Sequence, residues 1–267
     1  MYGAIIGDIV GSRFEWLNIK SKEFDFFSPL CSITDDSVLS IALAKAFLLC
    51  KGEYDVLPDY VIDCMREFGH KYPNAGYGSG FLTWLDNDNP EPYNSWGNGA
   101  AMRVSSCGLI ARSIREVKRL SRKVTEVTHN HPEGLKGAEA TAVAVYMAKK
   151  GKNKKQIGRY INKHYYKLDF TLDKIRDGYY YDVSCQGSVP QAIQAFLESN
   201  DYEDAIRNAI SIGGDSDTIA AITGGIAGAY YGIPRDIIER AKTYVPEEMQ
   251  QIIEDFQKFC SYRPKRV

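Results

Sequence analysis

The chain lacks most of the features that would commit it to a common metal, membrane or nucleic-acid role. Its six cysteines, Cys31, Cys50, Cys64, Cys107, Cys185 and Cys260, lie far apart and form no Cys-x-x-Cys pair. A zinc site of the usual spacing is therefore not expected, and reduced, mostly buried thiols are. Histidine is scarce, with four in all. His129 and His131 lie close together but belong to no His-Glu-x-x-His helix, while His70 and His164 stand alone, as surface or structural residues do. A formal net charge of −1 gives no pull toward nucleic acid, which is not an expected partner. Two basic runs, KKGKNKK at 149–155 and RPKRV at 263–267, lack the interleaved aromatics of a single-strand groove and read as solvated loop and tail.

Membrane signals are missing too. The longest uncharged run, Thr218 to Pro234, is too short and too rich in Gly and Ala for a span. The first segment, MYGAIIGDIVGSRFEW, has no basic leading region, and Asp8 interrupts its apolar stretch, which argues against a signal peptide. No membrane partner is expected, and the expected location is cytoplasmic. No Pro/Gly/Ser-rich linker, low-complexity segment or solenoid repeat divides the sequence, so a single domain over residues 1–267 is expected.

Alternating β patterns are scarce; GYYYDVS at 178–184 is the one candidate short strand, with no obvious partner. Helical spacing fills the rest. SVLSIALAKAFLLC places Val38, Leu39, Ala42, Leu43, Ala46 and Phe47 on one broad face, which predicts an amphipathic helix burying that stripe. EGLKGAEATAVAVYMAKKG begins just after Pro132 and stops at Gly151, with lysines in its last turn. VPQAIQAFLESN, YEDAIRNAISIGG and PEEMQQIIEDFQKFC each open on Pro or acidic residues and read likewise. The expected fold class is all-α, with ten or more helices. Gly3, Ala4, Gly7 and Gly11, and again Gly224, Gly225, Gly228 and Ala229, recur at helical spacing and would let backbones approach closely.

Against this background two acidic corners stand out. SIGGDSDTIAAITGG puts Asp215, Asp217 and Thr218 at a helix start, where capping requires only one such oxygen. TDDS, Thr34 to Ser37, repeats the pattern ahead of another apolar helix. Taken singly, each reads as a cap with a complement to the helix dipole. Brought face to face, Asp35, Asp36, Asp215 and Asp217 would crowd four carboxylates into a volume that a hard divalent cation would relieve. Mg²⁺ and Mn²⁺ prefer such oxygen ligands, and Thr34 and Thr218 add neutral ones. Two ions about 3.5–4 Å apart would suit that ligand count. Glu15 is either a further carboxylate of the site or a helix-end charge. SWGNGAAMR sets Gly97, Asn98 and Gly99 before a helix, as a sharp anion-facing turn or a plain one; it has no Walker A spacing. In THNHPEG, His129 contacts a ligand or belongs to a polar turn.

In this order, GAIIGDIVGSRFE, TDDS, GNGAAMR, THNHPEGLKGA and GGDSDTIAAITGGIAGAYYG resemble the ADP-ribosylglycohydrolase family, which includes the dinitrogenase reductase activating glycohydrolases. They span residues 3–232. The resemblance implies a single compact orthogonal multi-helix domain and a binuclear Mg²⁺ or Mn²⁺ site made by Thr34, Asp35 and Asp36 with Asp215, Asp217 and Thr218. Glu15 and Asp36 become the candidate catalytic carboxylates. Asn98, Gly99 and Ala100 fall on the loop that approaches the diphosphate, and His129 in a substrate-lining segment. The implied substrate is an ADP-ribosylated protein or an ADP-ribose-containing small molecule, whose glycosidic bond is hydrolysed. Two departures are visible. The familiar TDDT ends in Ser37, and Gly76 stands where some relatives carry an aspartate proposed as base. The alternatives are a metal-dependent nucleotide phosphohydrolase, for which no His-Asp dipeptide or Glu-rich repeat is present, and a non-catalytic ADP-ribose binder.

Overall fold

The computed structural model describes residues 1–262; the basic run at 263–267 lies outside them. The helices follow the chain's own punctuation. In order they are α1 (Tyr2–Ser12), α2 (Asp35–Leu49), α3 (Leu57–Lys71), α4 (Ser79–Leu85), α5 (Gly99–Met102), α6 (Ser105–Ile110), α7 (Ile114–Thr125), α8 (Pro132–Lys149), α9 (Lys154–His164), α10 (Leu172–Ile175), α11 (Cys185–Glu198), α12 (Tyr202–Ile210), α13 (Ser216–Tyr231), α14 (Arg235–Lys242) and α15 (Glu247–Tyr262). The fold class is all-α, as expected. Asn153 and Gln156 form a capping box at α9, and Ser113, Ser184 and Asp201 each accept a backbone N–H at the starts of α7, α11 and α12, which satisfies donors a helix start leaves unpaired.

The backbone close approach expected from the small residues is what arranges the site. Helices α1 and α13 cross antiparallel in direct backbone contact. A Cβ built on Gly3 would lie 2.3 Å from the Gly224 carbonyl oxygen, one on Gly7 2.0 Å from that of Ala220, and one on Gly11 2.6 Å from the Asp217 Cα. Any side chain there would force the pair apart. The last turn of α1 is thereby held against the first turn of α13. Nearly every residue of these two helices is buried, and one continuous apolar core runs from them through α2, α8, α11 and α12.

Three expectations need correction. Helix α2 is not amphipathic: residues 36–44, Ala46 and Phe47 are all buried, because the helix passes through the core with neighbours on every side, α3 on one and α15 on another. Helix α11 starts at Cys185, ahead of the expected opening at Val189 and Pro190, because the Ser184 hydroxyl accepts from the Gly187 N–H and caps it; Pro190 then falls inside the helix. The 178–184 segment forms no strand. Its only pairing is an isolated antiparallel bridge between Gly97 and Ser184, with Asn98 N–H donating to the Val183 carbonyl (2.7 Å) and Cys185 N–H to that of Trp96 (2.9 Å). Both chains turn into helices immediately beyond, so no ladder propagates.

No disulfide joins the cysteines, of which five are buried and Cys260 half-buried. None of the described helices is long and apolar enough to cross a membrane.

Candidate active site

Three helix ends converge on one buried point. Thr34 caps α2, its hydroxyl oxygen accepting from the Asp36 N–H at 3.3 Å. Asp8, fully buried on α1, then clamps that start. Its Oδ1 accepts from the Thr34 hydroxyl (2.6 Å) and its Oδ2 from the backbone N–H groups of Thr34 (2.9 Å) and Ser37 (3.1 Å). The α13 start is built by other means. Gly213 and Gly214 have φ of 68° and 79°, a left-handed turn that glycine adopts at little cost. Asn18 fastens this turn to the first loop: its Oδ1 accepts from Gly214 N–H (2.7 Å), and its Nδ2 donates to the carbonyls of Gly214 (2.9 Å) and Glu15 (2.9 Å). Asp215 occupies the capping position but makes no cap bond. Its Oδ2 accepts instead from Asn98 Nδ2 at 2.6 Å, and Asn98 also donates to Ser188 Oγ at 3.0 Å. A direct bond then joins the two acidic corners, Thr218 Oγ1 donating to Asp36 Oδ2 at 3.0 Å.

The clustered carboxylates form two triads that share Asp217. Oxygens of Asp8, Asp36 and Asp217 lie within 4.8 Å of one another, as do those of Glu15, Asp215 and Asp217. Among the described residues, no ion pair involves any of them. Burial disfavours every ionised form, and mutual repulsion adds to it at Asp35, Asp36, Asp217 and Glu15. Asp35 is pushed up to about 8 by burial and the charges of Asp8 and Asp215. Burial takes Asp8 to about 6 against the pull of its hydrogen bonds. Asp36 and Asp217 are held well above the usual carboxylate range, and Asp215 and Glu15 are raised. Asp36 Oδ1 is buried with no hydrogen-bond partner. An orphaned carboxyl oxygen in an all-oxygen cluster is what a hard divalent cation would satisfy, so the residues present fit one. Neither triad includes a histidine or a thiol, and a zinc-type donor set is not what they offer.

A cavity of about 300 Å³ opens over this cluster, lined by Asp35, Asp36, Asp215, Asp217, Thr218 and Glu15 among others. Its further wall carries Asn98, Gly99 and His129, so most of the residues singled out from the sequence share one space. Two do not reach it. Thr34 lies behind Asp36, bonded to Asp8, and Ala100 is fully buried on α5 with its N–H donating to the Gly97 carbonyl (3.2 Å). Gly76, φ 97°, also lines the cavity; a Cβ there would meet Asp35 Oδ1 at 3.7 Å. Glu15 is held by the Tyr181 hydroxyl, which donates to its Oε1 at 3.2 Å.

Sequence reasoning missed several participants. Asp8 was legible only as a break in an apolar stretch, although a charged residue amid small apolar helix residues must find partners if buried. Arg103, 1% exposed, also lines the cavity; as the last residue of GNGAAMR it carried a signal in being a cation inside an otherwise apolar run. Asn18, Thr128 and Tyr181 had no local signal, since their partners lie far along the chain.

Comparison with known proteins shows the family and the fold. The sequence profile of the ADP-ribosylglycohydrolase family matches residues 1–264. The ADP-ribosylhydrolase ARH3 of Homo sapiens is 27% identical over 96% of this chain and 88% of its own. The ADP-ribosylarginine hydrolase Tri1 of Pseudomonas putida (strain GB-1) is 26% identical over 87% of this chain and 70% of its own. A solved structure, an ADP-ribosylglycohydrolase-related protein complex, shares the fold with a TM-score of 0.72 at 22% identity, covering 97% of this chain and 95% of that one.

Proposed function

Because the chain belongs to the ADP-ribosylglycohydrolase family, we propose that it hydrolyses the glycosidic bond between ADP-ribose and an acceptor, either a protein side chain such as arginine or serine or a small molecule. The observation that carries this reading is the meeting of two acidic helix starts, 182 residues apart at Asp36 and Thr218, under a cavity that also holds the Gly97–Gly99 loop and His129. Two Mg²⁺ or Mn²⁺ ions would be held by Thr34, Asp35, Asp36, Asp215, Asp217 and Thr218. Such cations supply Lewis acidity, which favours ionised over neutral oxygen nucleophiles and can fix a vicinal diol.

The chain's own groups do the remaining work. Breaking the bond develops oxocarbenium character at the anomeric carbon, and the dense carboxylate cluster favours positive charge there. Glu15 lines the cavity, is half-buried, and has its carboxyl raised by burial and by Asp215, which favours its protonated form over that of an ordinary exposed glutamate. We assign it the transfer of that proton to the departing acceptor, or the orientation of the attacking water. Tyr181 holds the Glu15 carboxylate in place. Asp36 contributes its unpartnered Oδ1 to the same cluster. An arginine acceptor leaves as a strongly basic guanidine and needs little acid assistance, whereas serine needs more. A cytoplasmic location accompanies this reading.

The test incubates the protein with arginine- and serine-linked ADP-ribosyl peptides and with acetylated ADP-ribose, in Mg²⁺, Mn²⁺ or a chelator, and follows free ADP-ribose by mass. Metal-dependent release from at least one is expected. Binding without release in every arm would replace the reading with a non-catalytic binder, and release of inorganic phosphate from nucleotides would replace it with a phosphohydrolase.

A further inference from the structure

Behind the cavity wall, Arg103, Thr128 and His129 form a short buried relay. Arg103 Nη2 donates to Thr128 Oγ1 at 2.6 Å, and that oxygen lies 2.7 Å from His129 Nδ1. A hydroxyl has one proton to give. Spent on His129 Nδ1, it makes a short bond; the one other acceptor for it among the described residues, the Thr125 carbonyl, is 3.4 Å away. Arg103 Nη2 itself stands 3.5 Å from Nδ1, and a guanidinium N–H facing that nitrogen favours a lone pair there over a second N–H. We propose that Arg103 and Thr128 lock the His129 ring in one neutral tautomer, Nδ1 bare and Nε2 protonated, making it a fixed hydrogen-bond donor to the cavity and neither acid nor base.

The donor is well placed. A Cβ on Gly97 or on Gly99 would lie 3.6 Å from His129 Nε2, so the N–H faces the loop that lines the cavity. The ring is also pinned from its other sides: Tyr93 packs against it with centroids 5.7 Å apart, and its backbone N–H donates to the Thr125 carbonyl at 2.9 Å. Burial and the nearby Arg103 charge both oppose an imidazolium. The ligand chemistry that suits a rigid neutral N–H beside a glycine loop is an anionic oxygen, and on the proposed function it is a phosphate oxygen of ADP-ribose. That last step rests on the function proposed above; the tautomer does not.

Two measurements test the proposal. In protein labelled with ¹⁵N-histidine, with His129→Gln identifying the signals, His129 is expected to show a bare Nδ1 and a protonated Nε2, unchanged between pH 5 and pH 8. A protonated Nδ1, or an imidazolium appearing in that range, would overturn it. Thr128→Val removes the hydroxyl at nearly constant shape and is expected to mix or invert the tautomers, whereas Thr128→Ser retains the wild-type pattern. Calorimetry with ADP-ribose then reads the consequence: Thr128→Val binds roughly tenfold more weakly, with KM raised and kcat little changed, and Thr128→Ser restores both. An unchanged tautomer in Thr128→Val would sink the positioning role. Failure of the wild-type protein to bind ADP-ribose, with the tautomer as expected, would remove the substrate assignment and leave the lock standing.

Discussion

The two acidic helix starts look alike in sequence and are built differently. At α2 the capping is complete: Thr34 takes the Asp36 N–H, and Asp8 takes those of Thr34 and Ser37. The carboxylates of Asp35 and Asp36 are thereby released from capping, and one oxygen of Asp36 is left with no partner. At α13 the residue in the capping position does not cap. Asp215 is drawn away by Asn98, and the turn before it is held by Asn18. One start is thus satisfied by a neighbour's side chain, and the other is pulled open by side chains from distant loops. The two routes reach a similar result, carboxylates mostly released from the helix itself, although Asp217 Oδ1 still accepts the Thr218 N–H at 3.0 Å. That surplus can be seen at each start alone, but it distinguishes a site from a cap only once the two starts meet.

Breaking the α13 side should have the largest effect. Asp217 belongs to both carboxylate triads, so Asp217→Ala is expected to lower ADP-ribose release by more than the roughly 10–100-fold typical of losing an outer-shell partner of a metal. The helical circular-dichroism signal should persist, and stabilisation by Mg²⁺ should vanish. A variant as active as the parent would remove Asp217 from the site.

A pH series distinguishes what the two sides share. Unfolded aspartates titrate near about 3.9, whereas in the folded protein burial places Asp8 at about 6, and burial with neighbouring charge places Asp35 at about 8. The folded state therefore binds the extra protons. Without metal, what these two groups contribute to stability is greatest below about pH 4 and is lost as pH rises through these values, by about 1.4 kcal/mol per pH unit for each group within its window. Divalent cations should restore it, so the rise in Tm on adding Mg²⁺ should be small at pH 5 and largest at pH 8. A Tm increment independent of pH would mean that the ion binds elsewhere.

How much of this was legible in the sequence depends on how far apart the partners lie. Thr34, Asp36, Asp217 and Thr218 announce themselves locally, because polar residues in excess of capping precede apolar helices. The all-α fold and the two small-residue stripes that allow close approach follow from spacing alone; that the stripes of α1 and α13 meet each other does not. Asp8 does not announce itself, since its role is created by α2 docking on α1. Arg103, Thr128 and Asn18 act across loops, through pairings no local pattern encodes. The 178–184 segment misled for the same reason: its aromatics suggest a strand, but Tyr181 turns to Glu15 and stacks on Trp16 with centroids 5.4 Å apart.

The contact that brings the two starts together can be loosened without touching a carboxylate. Gly7→Ala sets a methyl 2.0 Å from the Ala220 carbonyl oxygen, and backbone on both sides leaves little room to yield. A loss of about 1–3 kcal/mol in stability is expected from such overpacking, read as a lower Tm in denaturation without metal. Because Asp8 and Asp217 sit on the displaced helices, Mg²⁺ affinity should fall with it. If Tm falls and Mg²⁺ affinity does not, the α1–α13 spacing is not what sets the cluster.

The smallest change tests the rim. The Tyr181 hydroxyl donates to Glu15 at 3.2 Å from a partly exposed position, while its ring stacks on Trp16. Tyr181→Phe deletes the bond and keeps the stack. A neutral donor lost from a solvent-accessible carboxylate is worth little, so only a few-fold fall in kcat is expected, with unchanged Tm and Mg²⁺ affinity. Removing the donor should also raise the Glu15 carboxyl further, because that hydrogen bond favours the ionised form. The limb of the kcat–pH profile assigned to Glu15 should therefore move to higher pH in Tyr181→Phe. A profile that does not move would take the proton from Glu15 and leave it an orienting role, and the difference between the two helix starts would then carry the chemistry alone.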